Sequence, residues 1–383
     1  MEASEGKDGS ALARRAALRH LTARMNRRRF LQLSASATGL FALRPLLAAD
    51  AGDVGAQKGA SFLLASDTHY LANKEKPEVM DETSRDINAR LVEWLNKLPG
   101  TEIPTEAGGG KVDEVHGVIH SGDLIDSGDK MSEQNVAMQK TEWGAFAADW
   151  GLNGGDGKLR LPVREVWGNH DGPQGKGLVI DHLRERNTRR KDVNVSENGM
   201  HFSWDWNGVH FINVGLVVGA RKDVERPRRY AALESLDFLT KDLAERVGES
   251  GRPVVITHHV DVARYCAPLA PELVGKNEWD YADVAAYHDV LMKYRIAAIL
   301  YGHTHVRKIF PWDGTPPKLA KGSPAGKGIA VFNTDNSGHF KSETQALMYF
   351  TVTDKEVLAR EFATEDSWVT AAWTPEVWRF PIA

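Results

Sequence analysis

The chain has 383 residues and a single cysteine, Cys266, so an intramolecular disulfide and a thiolate metal cluster are both excluded. Cys266 follows Ala263-Arg264-Tyr265 and precedes Ala267-Pro268, and it reads as a small apolar residue rather than a nucleophile. A strong charge of one sign is also missing. Forty-eight Lys and Arg stand against 52 Asp and Glu, a net charge of -4 with a pI near 6.4. The molecule as a whole has no general attraction to nucleic acid or anionic lipid, and nucleic acid is not expected as a partner. A long hydrophobic run is absent too. Residues 33 to 43 are apolar but rich in Ser, Ala and Gly, and Arg44 interrupts them before they could span a bilayer. No stable membrane anchor is expected. No internal repeat and no Pro/Gly/Ser-rich linker divides the rest. Apolar residues are plentiful, at 42% hydrophobic against 26% charged, which suits a large globular core.

The first fifty residues differ from the remainder. Arg27-Arg28-Arg29-Phe30-Leu31-Gln32 heads the apolar stretch, and Ala48-Ala49-Asp50-Ala51 supplies small residues after it. A basic head, a short apolar segment and small residues describe an export signal. It resembles the twin-arginine signal, which carries folded proteins across the bacterial inner membrane. Residues 1 to 54 are therefore expected to be an N-terminal extension with this signal. Residues 55 to 383 are expected to form one domain. The implied partner is the twin-arginine export machinery, and the implied location is the periplasm or the exterior.

From Gly59 the pattern alternates strand, loop and helix. Strands are expected over residues 61–66, 115–120, 161–167, 253–257 and 296–301, with more in the tail at 347–352 and 357–362. Helices are expected over 77–98, 131–150, 230–247 and 280–294. Residues 200–218 read as a hairpin, because aromatic runs flank Asn207-Gly208, a dipeptide suited to a tight turn. The Arg-rich stretch 184–191 reads as a solvated helix or loop, with a phosphate clamp as the sharper alternative. Trp368, Trp373 and Trp378 suggest a docked tail.

Five short segments carry metal-ligand side chains: Asp67-Thr68-His69, Gly122-Asp123-Leu124-Ile125-Asp126, Gly168-Asn169-His170-Asp171, His258-His259 and Gly302-His303-Thr304-His305. Each follows an apolar run expected to be a strand. Ligands in α/β sheets gather at the carboxyl ends of strands, so these side chains can converge from distant parts of the sequence. The donors are oxygen and nitrogen, which suits manganese, iron or zinc. His259 is left open between a supporting position and the opposite side of its segment. Asp171 reads as a turn or cap residue. The other histidines, including His120 and His339, are placed outside the ligand set.

The ordered series resembles the calcineurin-like metallophosphoesterase superfamily, with its D-x-H, G-D-x-x-D, G-N-H-D/E, H and G-H-x-H segments. The resemblance implies a four-layer αββα sandwich with two mixed β-sheets and a metal site at the strand ends. It implies two divalent or trivalent metal ions. Asp67, His69 and His305 would hold one, Asn169, His258 and His303 the other, and Asp123 would bridge. A hydroxide shared by the two ions would attack phosphorus in a small mono- or diester substrate. His170 would steady the phosphate or protonate the leaving oxygen, with Asp126 orienting its ring. Ser127 follows Asp126 where Ser/Thr phosphatases of the superfamily carry Arg, and Asp126 stands where purple acid phosphatases carry a Tyr ligand. What remains resembles the bacterial phosphodiesterase-type group, although Val260 replaces the Pro usual after its two histidines. The alternatives are a catalytically silent metal-binding protein of the same fold and a metallohydrolase of another ester bond.

Overall fold

The computed structural model describes residues 59–220, 229–262, 278–314 and 328–382. All of them belong to one unit, Ala56–Ala383. The expected export signal and Cys266 lie outside the described residues. Among the described residues, no helix is long and apolar enough to cross a membrane.

Two sheets form the centre. The first orders its strands β13(Ala372–Pro381), β12(Glu356–Thr364), β11(Gln345–Val352), β1(Ala60–Ala65), β2(Val118–His120) and β3(Val163–Glu165). The second runs β4(Asn194–Val195), β5(Phe202–Trp206), β6(Val209–Asn213), β7(Val254–Thr257), β8(Ile296–Tyr301), β10(Ile329–Asn333) and β9(Lys308–Trp312). Both are mixed. Strands β1, β2 and β3 are parallel, as are β6, β7, β8 and β10, while the remaining pairs are antiparallel.

The alternation of a strand decides the layers. In β1, Phe62 and Leu64 face the second sheet, where they join Phe211, Val255 and Leu300 in one buried cluster. Leu63 and Ala65 face the helices, together with Leu91, Leu95 and Phe146. Helices α1(Glu82–Lys97), α2(Glu133–Trp150) and α3(Leu178–Arg189) belong to the first sheet. Trp94 meets Phe362, Trp150 meets His120, and Arg186 pairs with Glu165. Helices α4(Ser235–Asp242) and α5(Tyr281–Leu291) belong to the second. Asp242 accepts from Ser203, and Tyr287 lies against Trp312. The result is the expected four-layer αββα sandwich.

Local chemistry moves several boundaries. Helix α1 begins at Glu82 rather than near Pro77, because Asp81 caps it and accepts from Ser84 N at 3.0 Å. The fourth helix starts late, after Leu233 and Glu234 at positive φ, and ends in a π-turn, Leu243–Val247. Asn207 and Gly208 both take positive φ, as the tight turn between β5 and β6 requires. The solvated reading of residues 184–191 is corrected for two arginines. Arg186 and Arg190 are buried and reach Glu165 at 2.6 and 2.5 Å, so neither is a phosphate clamp. The tail docks as expected. Trp368 is buried and donates to Ser337 O, and Trp94 donates to Trp368 O.

Candidate metal centre

All five segments leave the carboxyl ends of β1, β2, β3, β7 and β8 and meet at one edge of the sandwich. The first three come from one sheet and the last two from the other, so the site straddles both. Asp67, His69, Asp123, His303 and His305 all sit at positive φ. Non-glycine residues hold that conformation at a cost, and here it turns each side chain over the strand ends. Two glycines are needed for close approach. A Cβ on Gly168 would fall 2.0 Å from Asp123 Oδ1, and one on Gly302 would fall 2.0 Å from Ser66 Oγ.

One group comprises Asp67, His69, Asp123 and His305. His305 Nε2 lies 3.2 Å from Asp67 Oδ1 and 3.2 Å from His69 Nε2. His69 Nε2 lies 3.6 Å from Asp123 Oδ2. The second group comprises Asp123, His259 and His303, with Asn169 among them. His259 Nε2 lies 3.2 Å from both Asp123 Oδ2 and Asn169 Oδ1. His303 Nδ1 lies 2.7 Å from the same Asn169 oxygen. Asp123 belongs to both groups.

In the second group, hydrogen bonds on the far side of the two rings set their tautomers. His259 Nδ1 donates to the Ser121 carbonyl at 2.7 Å, which leaves Nε2 as a lone pair aimed at Asp123 and Asn169. His303 Nε2 donates to Glu278 at 2.7 Å, which leaves Nδ1 as a lone pair aimed at Asn169. Lone pairs and carboxylate oxygens therefore converge with no hydrogen between them. Such a set demands positive charge at its centre, which protons or a cation can supply. The titration behaviour agrees. Burial would lower His69, yet the Asp126, Asp67 and Asp123 carboxylates raise it to about 10. Burial would lower His259, yet Asp123 and Asp67 raise it to about 9. Burial would raise Asp67, yet His305 and His69 hold its carboxyl well below the usual range. The donor set thus fits hard-to-borderline metal ions.

The fourth segment needs a correction. His258, expected as a ligand, points away from the centre. Its ring packs edge-on against Trp279 and Tyr287, with centroids 5.1 and 5.7 Å away. Burial, opposed by a backbone contact at Val260, pushes it down to about 3. Adjacent residues of an extended segment face opposite ways, so His259 takes the place in the cluster.

A second correction concerns Asp126. Its carboxylate does not orient the His170 ring. Oδ1 lies 3.4 Å from His69 Nδ1, and Oδ2 accepts from Lys130 at 3.0 Å. His170 Nδ1 instead donates to the Asp126 carbonyl at 3.0 Å. Asp171 is structural, as expected. Its buried carboxylate accepts from Gly168, Leu124 and Ile125 amides at 2.7 to 3.1 Å and ties the second motif to the third. His120 stands behind the site, its Nε2 3.0 Å from Thr68 Oγ1. Glu278 supports His303 from behind and His339 approaches His69 and His305, and no motif announces either.

The sequence profile of the calcineurin-like phosphoesterase family matches residues 60–307. The chain belongs to the calcineurin-like phosphoesterase family. Its enzyme class is therefore metal-dependent phosphoester hydrolysis. No curated protein matches the chain in sequence. Among solved structures, a dimetal phosphatase from Danio rerio is 12% identical, with a TM-score of 0.46 over 85% of this chain and 99% of that one. A structure described as PhoD is 10% identical, with a TM-score of 0.44 over 83% and 72%. A predicted phosphoesterase from Streptococcus pneumoniae TIGR4 is 11% identical, with a TM-score of 0.31 over 84% and 98%.

Proposed function

We propose that this phosphoesterase is an exported dinuclear enzyme that hydrolyses small phosphate mono- or diesters. The observation that carries the dinuclear reading is Asp123, whose carboxylate is shared by two ligand groups. Asp67, His69, Asp123 and His305 would hold one ion, and Asp123, Asn169, His259 and His303 the other, with manganese, iron and zinc all suited to these donors. When bound, such a pair supplies Lewis-acid activation of water and neutralises charge at phosphorus.

The chain's own part is positional and electrostatic. Ser121 and Glu278 hold His259 and His303 in the tautomers that present lone pairs. The Asp126 carboxylate steadies His69 from behind. The Asp126 carbonyl fixes the half-buried His170 ring through Nδ1 and leaves its Nε2 free of that bond. His170 would steady the phosphoryl group or protonate the leaving oxygen. Export rests on Arg27-Arg28-Arg29-Phe30-Leu31 and the short apolar stretch after it, with the twin-arginine machinery as partner and no membrane anchor or nucleic acid required.

Substitution of Asp123 by Ala tests the reaction. It should abolish hydrolysis of an aryl phosphate and lower the bound metal while the protein stays folded. Full activity in that variant would refute the shared-carboxylate mechanism. A wild-type, metal-replete protein inert towards mono- and diesters alike would favour the silent metal-binding alternative.

A further inference from the structure

We propose that His339 is a substrate-contact residue that donates a hydrogen bond to the bound phosphoryl group and does not hold metal. The inference rests on the phosphoesterase reading and adds a residue beyond residues 60–307, the stretch matched by the family.

His339 sits in the loop that leaves β10. That strand pairs in parallel with β8, so the loop opens over the same edge as His303 and His305. The loop is held firmly. Ser66 N donates to Ser337 Oγ at 3.0 Å, and Ser337 N donates to Ser66 O at 2.7 Å, immediately before Asp67. His339 N donates to Asn336 Oδ1 at 3.0 Å. The ring stacks on Phe340 and lies edge-on to His69, at centroid distances of 4.8 and 4.6 Å, and it is 4.7 Å from His305. One of its nitrogens comes within 4.8 Å of a ring nitrogen of each.

Proximity alone would make it a ligand, but its tautomer has the opposite polarity. His259 and His303 each spend an N–H on an acceptor behind them and turn a lone pair inward. His339 does the reverse, because its Nδ1 accepts the Lys341 amide at 3.2 Å. The neutral ring must then carry its proton on Nε2. A metal ion needs a lone pair, whereas a phosphate oxygen needs a donor. The half-buried ring, beside the partly exposed His305, offers a donor at the rim where a phosphoryl group would enter.

The test compares His339→Ala, His339→Phe and His339→Gln. Phenylalanine keeps the stack on Phe340 without a nitrogen, so it decides the matter if alanine fails to fold. Glutamine places an amide N–H near Nε2. Alanine and phenylalanine should lower kcat/KM for an aryl phosphate by about ten- to a hundredfold, the worth of one hydrogen bond to a charged group. The inhibition constant for inorganic phosphate should rise in parallel. Glutamine should recover most of both, and manganese bound per chain should equal wild type in all three. A drop in manganese affinity would make His339 a ligand and overturn the proposal. Unchanged phosphate inhibition and kcat/KM would make it a bystander and overturn it as well. A wild-type protein that neither hydrolyses esters nor binds phosphate would refute the underlying phosphoesterase reading instead, and His339's role with it.

Discussion

His258 and His259 are neighbours with opposite assignments, and substituting each separates them. Alanine at His259 removes an Nε2 that stands 3.2 Å from both Asp123 Oδ2 and Asn169 Oδ1. Loss of a mere supporting partner of a metal ligand costs about 10- to 100-fold in affinity or activity, so loss of a direct donor should exceed about a hundredfold. His258 should respond with the opposite sign. It is fully buried, and neither ring nitrogen has a well-formed hydrogen bond. A buried polar group without a partner costs about 1–3 kcal/mol. Phenylalanine at 258 keeps a ring between Trp279 and Tyr287 and removes the polar atoms. Slight overpacking would offset part of the gain, by about 1 kcal/mol. The net expectation is unchanged stability or a gain of up to about 2 kcal/mol. Aryl phosphate hydrolysis should stay near wild type. The assays are manganese per chain after dialysis, initial rates, and urea unfolding of each variant. If His258→Phe lost its metal while His259→Ala kept it, the orientation of the fourth segment would be wrong.

Asp126→Asn removes the charge that faces His69 Nδ1, and metal titration should show affinity falling by about 10- to 100-fold with the fold intact. Unchanged affinity would make the Asp126–His69 approach incidental. Glu165→Ala leaves Arg186 and Arg190 buried without their counter-charge, and urea unfolding should show a loss of about 3–5 kcal/mol. A loss under about 1 kcal/mol, the range of a surface pair, would contradict the buried geometry. His201 gives a pH dependence. Burial, opposed by its bond to the Leu233 carbonyl, lowers it to about 4 from an ordinary value of 6.5. As pH falls below 6.5 the unfolded chain takes up a proton that the folded one refuses. Stability should therefore drop by up to about 1.4 kcal/mol per pH unit until about pH 4. His201→Gln should flatten that part of the stability curve, and an identical curve would show that His201 does not contribute.

Much of this fold was readable because the strands are short apolar runs bounded by turn residues. Ile296–Tyr301 was located to the residue, and the Asn207-Gly208 hairpin followed from the turn chemistry alone. The side of a strand was harder to read. In β7 the parity is Val254, Ile256 and His258 towards the helices, and Val255 and His259 towards the partner sheet and the site. Both faces of this strand are buried and apolar, so no polar alternation marks which histidine points inward. The same difficulty hid Arg186 and Arg190. Only their pairing with Glu165, distant in sequence, makes their burial tolerable.

Asp126 and His339 show why ligand types were easier to identify than ligand partners. A Gly-Asp turn after a strand names the residue that reaches the centre, because strand ends converge whatever the surrounding loops do. It does not say which imidazole a second carboxylate will meet. That depends on a few tenths of an ångström between Asp126, His69 and His170. His339 follows the same strand-end rule, one strand later. Ile329–Asn333 reads alike whether it runs parallel or antiparallel to its neighbour, and only its parallel pairing with β8 puts the loop over the site. Direction is settled by packing across the whole sheet, so a sixth contributing segment can stay silent in the local sequence while obeying the rule that exposed the other five.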